Sequence, residues 1–378
     1  YFMGVCFVSQ VIRKLIEQGK IGGTSISESQ IQPSSFEPRL GNEVIILDTE
    51  TGMLRPRKGE TIQETLERLP PRQRQRVDIT SGFEIKKGFT YLFPLQETIT
   101  VSPGEYIKSS PKSTFGRLFV QSRLLTDYNP CFDEINPIYK AETSLRLWLL
   151  VQPLTFNLIV YPGLTMNQIR FFGSHEARLT SRQILDEWQE NPLLLRRRDT
   201  ELQAADPIVT EGLQLHLDIS GKHTNNVVAL RARHTPMPID LRKIGIYDPE
   251  DYFEPLKQKE DSIHIHAREH YLLMSKEVVK LPAHLSAELR SHSHIGLHGP
   301  LHFAGFIDNG FQGDLVFEVR SDEFHPMNLI DGMPVSTLDI FRTDQPDKLY
   351  GSNIGSNYHK QTGPRPAKYF KPFDYSRF

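Results

Sequence analysis

The chain has 378 residues, of which 38% are hydrophobic and 24% are charged, and its formal net charge is −2. This composition predicts a globular chain of two or three domains, with no overall electrostatic attraction to nucleic acid or to a membrane surface. No apolar run approaches the roughly 20 residues that span a bilayer, and two cysteines, Cys6 and Cys131, favour a reducing compartment, so we expect a cytoplasmic protein.

The first predicted element is a helix over residues 11–16, where apolar residues recur at helical spacing and Gly19 marks the end. Short β-type runs separated by Gly, Pro and Asn fill the rest of the first half; they cover residues 43–47, 89–93, 98–101, 145–151 and 156–160. Many short strands at this spacing favour a β-sandwich or barrel.

Helical periodicity returns over residues 181–195 and ends at three consecutive arginines, 196–198. We interpret these arginines as a solvated helix end near the connection between domains, and a patch for an anionic ligand is the alternative. Strand signals then resume at residues 213–219, 227–230, 270–274, 313–319 and 334–341. The tail from residue 351 has no apolar period, so we expect it to be disordered or to be ordered by a ligand.

The chain contains an internal repeat, which is the strongest guide to its organisation. The Tyr-Leu pair and the glutamate of residues 91–97 recur in residues 271–277, and the Asn-Leu-Ile of residues 157–159 recurs in residues 328–330. The repeat predicts two tandem modules and a tail. We place the first module at 1–190, the second module at 205–350 and the closing tail at 351–378.

The stretch Ser109–Arg117 could bind phosphate. It offers hydroxyls, a glycine and an arginine in a short loop between strands, and such groups suit phosphate oxygens. An ordinary turn with a surface arginine is the alternative. In the repeat, Ser113 falls on Ser293 but Arg117 falls on Leu297, so the second copy lacks this cation.

Glu318 is the candidate catalytic group. Strand alternation places Val316 and Glu318 on one face of a strand, opposite a face of larger apolar residues. A carboxylate flanked by apolar residues is costly unless it has a partner or a role, and a solvent-facing strand glutamate is the alternative. The first copy has a leucine here, Leu149 or Leu147 according to the anchor used for counting.

Several segments in chain order resemble one known family. They read Ile-Gln-Pro-Ser-Ser-Phe-Glu-Pro-Arg-Leu-Gly over residues 31–41, Ser-Thr-Phe-Gly-Arg over 113–117, and Ile-Asp-Asn-Gly-Phe with a following strand glutamate over 307–318. Here, and in the closing tail, the chain resembles the deoxycytidine triphosphate deaminases of the trimeric dUTPase-like superfamily, especially the tandem double-domain type. The resemblance implies a mainly β fold of two tandem dUTPase-like β-barrel or β-clip modules with a few short helices.

The resemblance also implies an activity. We expect a hydrolase that deaminates dCTP to dUTP and ammonia without zinc, in pyrimidine deoxynucleotide biosynthesis. The alternatives are a dUTP pyrophosphatase, a bifunctional dCTP deaminase and dUTPase, and a non-catalytic nucleotide-sensing regulator. The chemistry should need no cofactor, although Mg²⁺ should accompany the triphosphate. The candidate partners are dCTP, dTTP or dUTP as regulator or product, and further copies of the chain in a homo-oligomer.

In the family, Glu318 falls on the general base, which takes a proton from water so that hydroxide adds to C4 of cytosine. Burial would raise its pKa towards working pH. The positions that match nucleotide-binding residues are Lys112, Ser113, Thr114, Arg117, Asp308, Val316, Phe317, Tyr350, Tyr358 and Gln361. The first four match triphosphate contacts, and the three from the tail match residues that close over the nucleotide. Asp308 matches a residue near the sugar. The alternative is that its side chain caps the Asp-Asn-Gly turn.

Each copy lacks one part of the family's site, so we predict a composite site. It would combine Ser113 and Arg117 of a first module with Glu318 of a second. If like modules instead grouped together, Arg290 or His294 would have to replace the arginine.

The histidines suggest a different possibility, zinc binding. Histidines at positions 264, 266, 270, 292, 294, 298 and 302 include His-X-His spacing, which can chelate zinc. No cysteine lies nearby, however, and alternating histidines on a strand often form one polar face. The zinc deaminases also need Pro-Cys-X-X-Cys, and Pro130-Cys131 has no second cysteine after it. We therefore expect no metal site.

Overall fold

The computed structural model describes residues 5–48, 54–173, 177–198, 201–258, 261–292, 305–320, 326–351 and 354–378. The α-helices in these ranges are α1 Ser9–Glu17, α2 Ile62–Glu67, α3 Ser113–Gly116 and α4 Ser181–Glu190. The first-half strands are β1 Ile21–Gly22, β2 Glu43–Leu47, β3 Arg74–Asp78, β4 Phe83–Ile85, β5 Thr90–Ile99, β6 Tyr106–Pro111, β7 Val120–Thr126, β8 Glu134–Ile135, β9 Leu145–Pro153, β10 Leu158–Val160 and β11 Asn167–Phe172.

The second-half strands are β12 Leu194–Arg198, β13 Glu201–Ala204, β14 Leu213–His216, β15 Val227–Ala232, β16 Ile239–Asp240, β17 Phe253–Lys257, β18 Ser262–Ile265, β19 His270–Lys280, β20 Leu285–Ser291, β21 Phe306–Ile307, β22 Gln312–Arg320, β23 Met327–Ile330 and β24 Pro334–Arg342. The mainly β fold expected from the sequence is confirmed. None of the helices within the described ranges has the length and apolar character needed to cross a membrane.

The sheets of the two halves correspond. One sheet of the first half has the order β3-β2-β5-β9-β7. The sheet built on the matching strand β19 in the second half has the order β13-β12-β19-β15-β17, with β22 also paired to β19. The three-stranded sheet β11-β6-β8 of the first half likewise corresponds to β24-β20-β21 of the second half. In the second half, β14 adds a fourth strand beside β24. The tandem repeat that the sequence predicts is therefore visible in the strand pairing.

Each half is built on the same bulged pair of antiparallel strands. The pair β5–β9 and the pair β19–β22 are both antiparallel. The register shifts between Pro94 and Thr98 in β5, and between Met274 and Val278 in β19. A bulge at the matching place in both strand pairs supports one module written twice, because bulges are specific features of a strand pair.

The register of these strand pairs identifies the first-half counterpart of Glu318. Glu318 lies opposite Leu272 in β19, and the repeat partner of Leu272 in β5 lies opposite Leu150. The counts that pointed to Leu149 or Leu147 are therefore wrong, because the loops between matching strands differ in length and change the offset. The expectation that the first copy lacks the carboxylate is confirmed.

The counterpart position in the first half is filled by apolar packing. Leu150 lies in a small core with Trp148 of the same strand and with Ile62 and Leu66 of α2. All four side chains are buried. In the first half, this face of the sheet is therefore occupied by hydrophobic side chains instead of polar catalytic groups.

The two modules and the tail share one hydrophobic core. Strand β10 of the first module pairs in parallel with β16 of the second. The Phe156 ring packs against Phe253, with centroids 5.6 Å apart, and Phe253 packs against Phe370 of the tail at 5.3 Å. The described part of the tail is thus packed on the body of the protein, and of the two alternatives for the tail, disorder is wrong.

Helix α4 is shorter than its sequence periodicity suggests. It ends at Glu190, and Asn191 has an extended backbone, because the following Pro192 disfavours the helical conformation in the residue before it. The arginines at 196–198 lie on β12, which pairs with β13 and β19. The interpretation of these arginines as a helix end is therefore wrong.

Candidate active site

A cavity of about 560 Å³ lies where the first module, the second module and the tail meet. Its wall combines α3 of the first module, β22 and the turn before it from the second module, and the start of the tail. The predicted site residues that line this cavity are Lys112, Ser113, Thr114, Arg117, Asp308, Val316, Glu318, Tyr350, Tyr358 and Gln361. One chain therefore brings the two parts of the predicted composite site together.

Phe317 is the member of the predicted set that does not line the cavity. Strand alternation turns its side chain to the other face of β22, where it packs with Leu315 and Val319 in the core of the second module. The Phe317 side chain therefore points away from the cavity, and its assignment to nucleotide binding stays a prediction.

Glu318 lies on β22 with its side chain only 2% exposed. Val316 and Asp314 precede it on the same face of the strand, and both are buried. The alternative of a solvent-facing strand glutamate is therefore wrong. A buried carboxylate at a cavity wall can exchange protons with a bound water or ligand while bulk water is kept away.

The phosphate-binding stretch of the first module forms a helical turn. Residues 113–116 form α3, which follows β6, and Arg117 caps it at the carboxyl end. The turn lies between β6 and β7, and Arg117 is 3% exposed, so the alternative of an ordinary turn with a surface arginine is wrong. The turn instead directs a charged side chain into the interior.

Arg117 is held by the tail. Its guanidinium carbon lies 3.7 Å from the centroid of the Tyr358 ring, and its Nη1 donates to the Arg365 carbonyl at 2.8 Å. Burial lowers the pKa of Arg117, while nearby negative groups, among them the Glu318 carboxylate, act in the opposite direction. Arg117 and Glu318, from different modules, are therefore electrostatic neighbours.

The Nε of Arg117 is a buried donor that lacks an acceptor within the described ranges. This nitrogen is buried and has no hydrogen-bond partner among the residues that the structure describes. A buried donor without an acceptor costs free energy, more so when it is charged. An oxygen-rich ligand in the cavity would remove that cost.

A second cationic group lies beside Arg117. Lys112 forms an ion pair with Glu37 and donates to the Thr165 hydroxyl at 2.9 Å. Lys368 of the tail also lines the cavity, and burial and the nearby charge of Lys112 lower the pKa of Lys368. One end of the cavity therefore concentrates positive charge, with the Glu37 carboxylate as a local counter-ion.

Asp308 stands between the modules. Its Oδ1 accepts a hydrogen bond from the Ser34 hydroxyl at 2.9 Å and pairs with Nη2 of Arg170 at 3.3 Å. Its main-chain carbonyl accepts from the Phe311 amide at 3.1 Å and so closes the turn, in which Gly310 has a φ of 82°. The main chain, not the Asp308 side chain, thus stabilises the turn.

The tail covers one side of the cavity through three residues of the predicted set. The Tyr350 hydroxyl accepts from the Tyr358 amide at 3.2 Å, and the hydroxyls of Tyr358 and Thr114 share a hydrogen bond of 3.0 Å. Gln361 donates through Nε2 to the Asp314 carbonyl at 2.5 Å. The tail therefore joins α3 of one module to β22 of the other.

The side chain of Asp314 fastens the tail further. Its Oδ1 pairs with Nη1 of Arg197 at 2.5 Å, and its Oδ2 accepts from the Gly363 amide at 3.1 Å. Burial raises the pKa of Asp314, and the charge of Arg197 opposes that rise. One of the three consecutive arginines is thus an internal ion-pair partner, and it lies close to the tail.

The suggested substitutes for Arg117 lie elsewhere. Arg290 pairs through Nε with Asp339 at 2.6 Å and lines a separate depression with Arg178 and Glu211. His294 and Leu297 are outside the described residues. Arg290 is therefore not a member of the cavity that contains Glu318.

The histidines do not assemble a metal centre where they are described. Within those ranges no three His, Cys, Asp or Glu side chains group closely enough to hold a metal ion. His264 hydrogen-bonds Asn328 at 2.8 Å, and His270 is buried against Phe119 with ring centroids 4.9 Å apart. The histidines at 294, 298 and 302 lie outside the described residues.

Sequence reasoning missed several polar residues of the cavity wall. These are Gln30, Gln32, Glu37, Arg39, Thr165, Gln168 and Lys368. Three of them, Gln32, Glu37 and Arg39, fall within the 31–41 segment that resembles the family, but no role was predicted for their side chains. Thr165 and Lys368 carry no local signal, since folding alone brings them to the cavity.

Comparison with known families matches both halves of the chain. Residues 3–175 match the 2′-deoxycytidine 5′-triphosphate deaminase (DCD) N-terminal domain, and residues 187–370 match the C-terminal domain of the same family. Together the two matches cover nearly the whole chain.

Individual relatives agree with the family matches. A protein of Corynebacterium diphtheriae named "dCTP deaminase, dUMP-forming" is 38% identical over 113 residues, which are 29% of this chain and 60% of that relative. A protein of Corynebacterium jeikeium with the same name is 32% identical over 158 residues, 36% of this chain and 84% of the relative. The crystal structure of 2′-deoxycytidine 5′-triphosphate deaminase from Agrobacterium tumefaciens matches with a TM-score of 0.80 and 28% identity, covering 91% of this chain and 99% of that one.

Proposed function

The chain belongs to the 2′-deoxycytidine 5′-triphosphate deaminase family, and on that premise we propose that it deaminates dCTP hydrolytically. The observation that carries the proposal is the cavity in which Arg117 of the first module and Glu318 of the second are electrostatic neighbours. A buried cation for a phosphate and a buried carboxylate for proton transfer are the two parts that this reaction requires.

The triphosphate binds at the cationic end of the cavity. Arg117 offers its unpartnered Nε, and Lys112 and Lys368 add positive charge. The hydroxyls of Ser113 and Thr114 supply further donors to phosphate oxygens. Magnesium enters with the triphosphate as part of the substrate.

Glu318 acts as the general base. It takes a proton from water, and the hydroxide adds to C4 of the cytosine ring to form a tetrahedral adduct. Protons then pass to N3 and to the amino group, and ammonia leaves as the C4 carbonyl forms. One dCTP and one water thus give one deoxyuridine nucleotide and one ammonia. The chemistry uses protein groups and substrate, with no zinc required.

The remaining predicted residues hold the nucleoside and exclude water. Asp308 lies near the sugar, and Val316 packs beside the base. Tyr350 at the end of the second module, with Tyr358 and Gln361 of the tail, covers the cavity and keeps solvent from the reacting ring.

A second candidate function concerns the product. The Corynebacterium relatives are named dUMP-forming, and this observation favours an enzyme that also removes pyrophosphate from the nucleotide. Deamination to dUTP alone and deamination to dUMP use the same first step. The nucleotide product distinguishes them.

The experiment is an incubation of the protein with dCTP and magnesium, with and without a zinc chelator. Anion-exchange chromatography would resolve dCTP, dUTP and dUMP, and an ammonia assay would count deamination events. Ammonia with dUTP supports the deaminase, and ammonia with dUMP supports the second candidate. If dCTP binds but neither ammonia nor a product appears, the protein is a nucleotide sensor and the proposal fails.

A matched pair of variants tests the base. Glu318→Gln should retain dCTP binding and lower the deamination rate by about 10²–10⁴-fold. Glu254→Gln changes a half-exposed surface glutamate that pairs with Arg231 and should leave the rate within about twofold. A Glu318→Gln protein that deaminates at the wild-type rate would remove Glu318 from the mechanism.

A further inference from the structure

Arg170 of the first module is buried inside the second module. It lies on β11, and its side chain is 0% exposed. Its Nη1 donates to the Ala287 carbonyl at 2.7 Å, and its Nη2 donates to the Ile307 carbonyl at 2.9 Å. These carbonyls belong to neighbouring strands, because Ala287 and Ile307 are paired in the β20–β21 ladder. Arg170 therefore joins the end of that ladder to the first module.

The charge of Arg170 is directed to the cavity wall. Its guanidinium carbon lies 4.3 Å from the centroid of the Phe306 ring, and Nη2 pairs with the Asp308 carboxylate at 3.3 Å. Phe306, Ile307 and Asp308 all line the cavity. A fully buried guanidinium is costly unless a counter-charge and acceptors surround it, and here those groups form the wall beside Glu318.

Asp308 receives its two first-module hydrogen bonds on the same oxygen. Ser34 and Arg170 both act on Oδ1. The carboxylate is therefore fixed in rotation, and Oδ2 is the oxygen through which it can meet a ligand in the cavity. Neither donor lines the cavity itself, so both act on a ligand through Asp308.

We propose that Arg170 and Ser34 are positioning residues that orient the Asp308 carboxylate for one hydroxyl of the nucleotide sugar. The inference rests on the proposed function, since it needs a bound deoxynucleoside triphosphate. In dCTP the sugar has one free hydroxyl, on C3′, because C2′ is unsubstituted and C5′ bears the triphosphate. A charged acceptor held in one orientation distinguishes a ligand with that hydroxyl from one without it.

The test compares the affinities of dCTP and of 2′,3′-dideoxy-CTP by calorimetry, in a Glu318→Gln background so that dCTP is not consumed. The parent protein should prefer dCTP by about tenfold or more, as expected for a hydrogen bond to a charged acceptor. Ser34→Ala and Arg170→Gln should each reduce the preference to about threefold or less.

Lys108→Gln is the matched control. Lys108 pairs with Glu288 across the same module contact at 3.3 Å but does not touch Asp308. This variant should lower stability slightly and leave the preference for dCTP unchanged. A purely structural role for Arg170 predicts that thermal stability changes while the preference remains.

The outcomes are distinct. A parent-like preference in folded Ser34→Ala and Arg170→Gln proteins would overturn the inference, and Ser34→Ala decides it if Arg170→Gln does not fold. Equal binding of the two nucleotides by the parent protein would overturn this inference alone. Binding of neither nucleotide would overturn the proposed function and the inference with it.

Discussion

A mixing experiment can test whether one chain completes its own site. The perturbation is a pair of variants, Arg117→Ala and Glu318→Gln, each of which damages a different module. Both residues line one cavity within one chain. A mixture of the two variants should therefore contain no intact site, whatever the oligomeric state. If the loop of one chain instead served the glutamate of another, random association would restore about a quarter of the sites.

The expected magnitudes separate these cases. Arg117→Ala removes a buried charge together with its contact over the Tyr358 ring. A lost charge-assisted hydrogen bond of about 1.5–3 kcal/mol lowers kcat/KM by about 10–100-fold. Glu318→Gln should cost about 10²–10⁴-fold. An equal mixture should then show at most about a twentieth of wild-type kcat/KM, well below the quarter expected from sharing.

The assay is the release of ammonia from dCTP at concentrations below KM, after the variants are produced together in one cell. Wild type produced together with Glu318→Gln is the positive control, and it should retain about half of the wild-type activity. Recovery of about a quarter in the double-variant mixture would show that sites form between chains. It would refute the assignment of Arg117 and Glu318 to one site within a chain.

Tyr358→Phe removes the hydroxyl that is hydrogen-bonded to Thr114 but keeps the ring. In steady-state kinetics, KM for dCTP should rise about two- to tenfold while kcat changes little. An unchanged KM would contradict this prediction. Arg197→Met leaves the buried Asp314 carboxylate without its ion-pair partner. Limited proteolysis should therefore cleave the tail faster in this variant than in the wild type. Equal cleavage rates would show that the ion pair does not hold the tail in place. Burial lowers the pKa of His270 to about 3, so the unfolded chain takes up a proton below about pH 6.5 while the folded protein does not. The free energy of unfolding should therefore fall by about 1.4 kcal/mol for each pH unit below about pH 6.5. His270→Phe should make this pH dependence weaker, and an unchanged pH dependence would show that His270 is not the group responsible.

Local patterns in the sequence were sufficient for part of the fold. Strand alternation placed Glu318 and Val316 on one face of β22, and both line the cavity. The helix predicted from 11–16 lies within α1. These predictions succeed because the side-chain directions of a strand or helix depend on its own residues.

Predictions that depended on packing were less accurate. The tail has no apolar period, yet Tyr369 and Phe370 are buried, because the aromatic partners of Phe370 come from distant parts of the chain. The first-half counterpart of Glu318 was misplaced until the strand register identified Leu150. Register is a property of two strands, and counting along one chain cannot supply it.

The sequence by itself determined that the chain is a tandem β-repeat and that Glu318 and Arg117 belong to different copies, because these facts lie in residue types and their order. The tertiary structure alone decided that both copies face one cavity and that Arg170 reaches Asp308 across the module contact. It also showed that Lys112 is paired with Glu37. The physical reason is that such contacts join residues far apart in the chain, whose approach depends on how the two modules and the tail pack around their shared core.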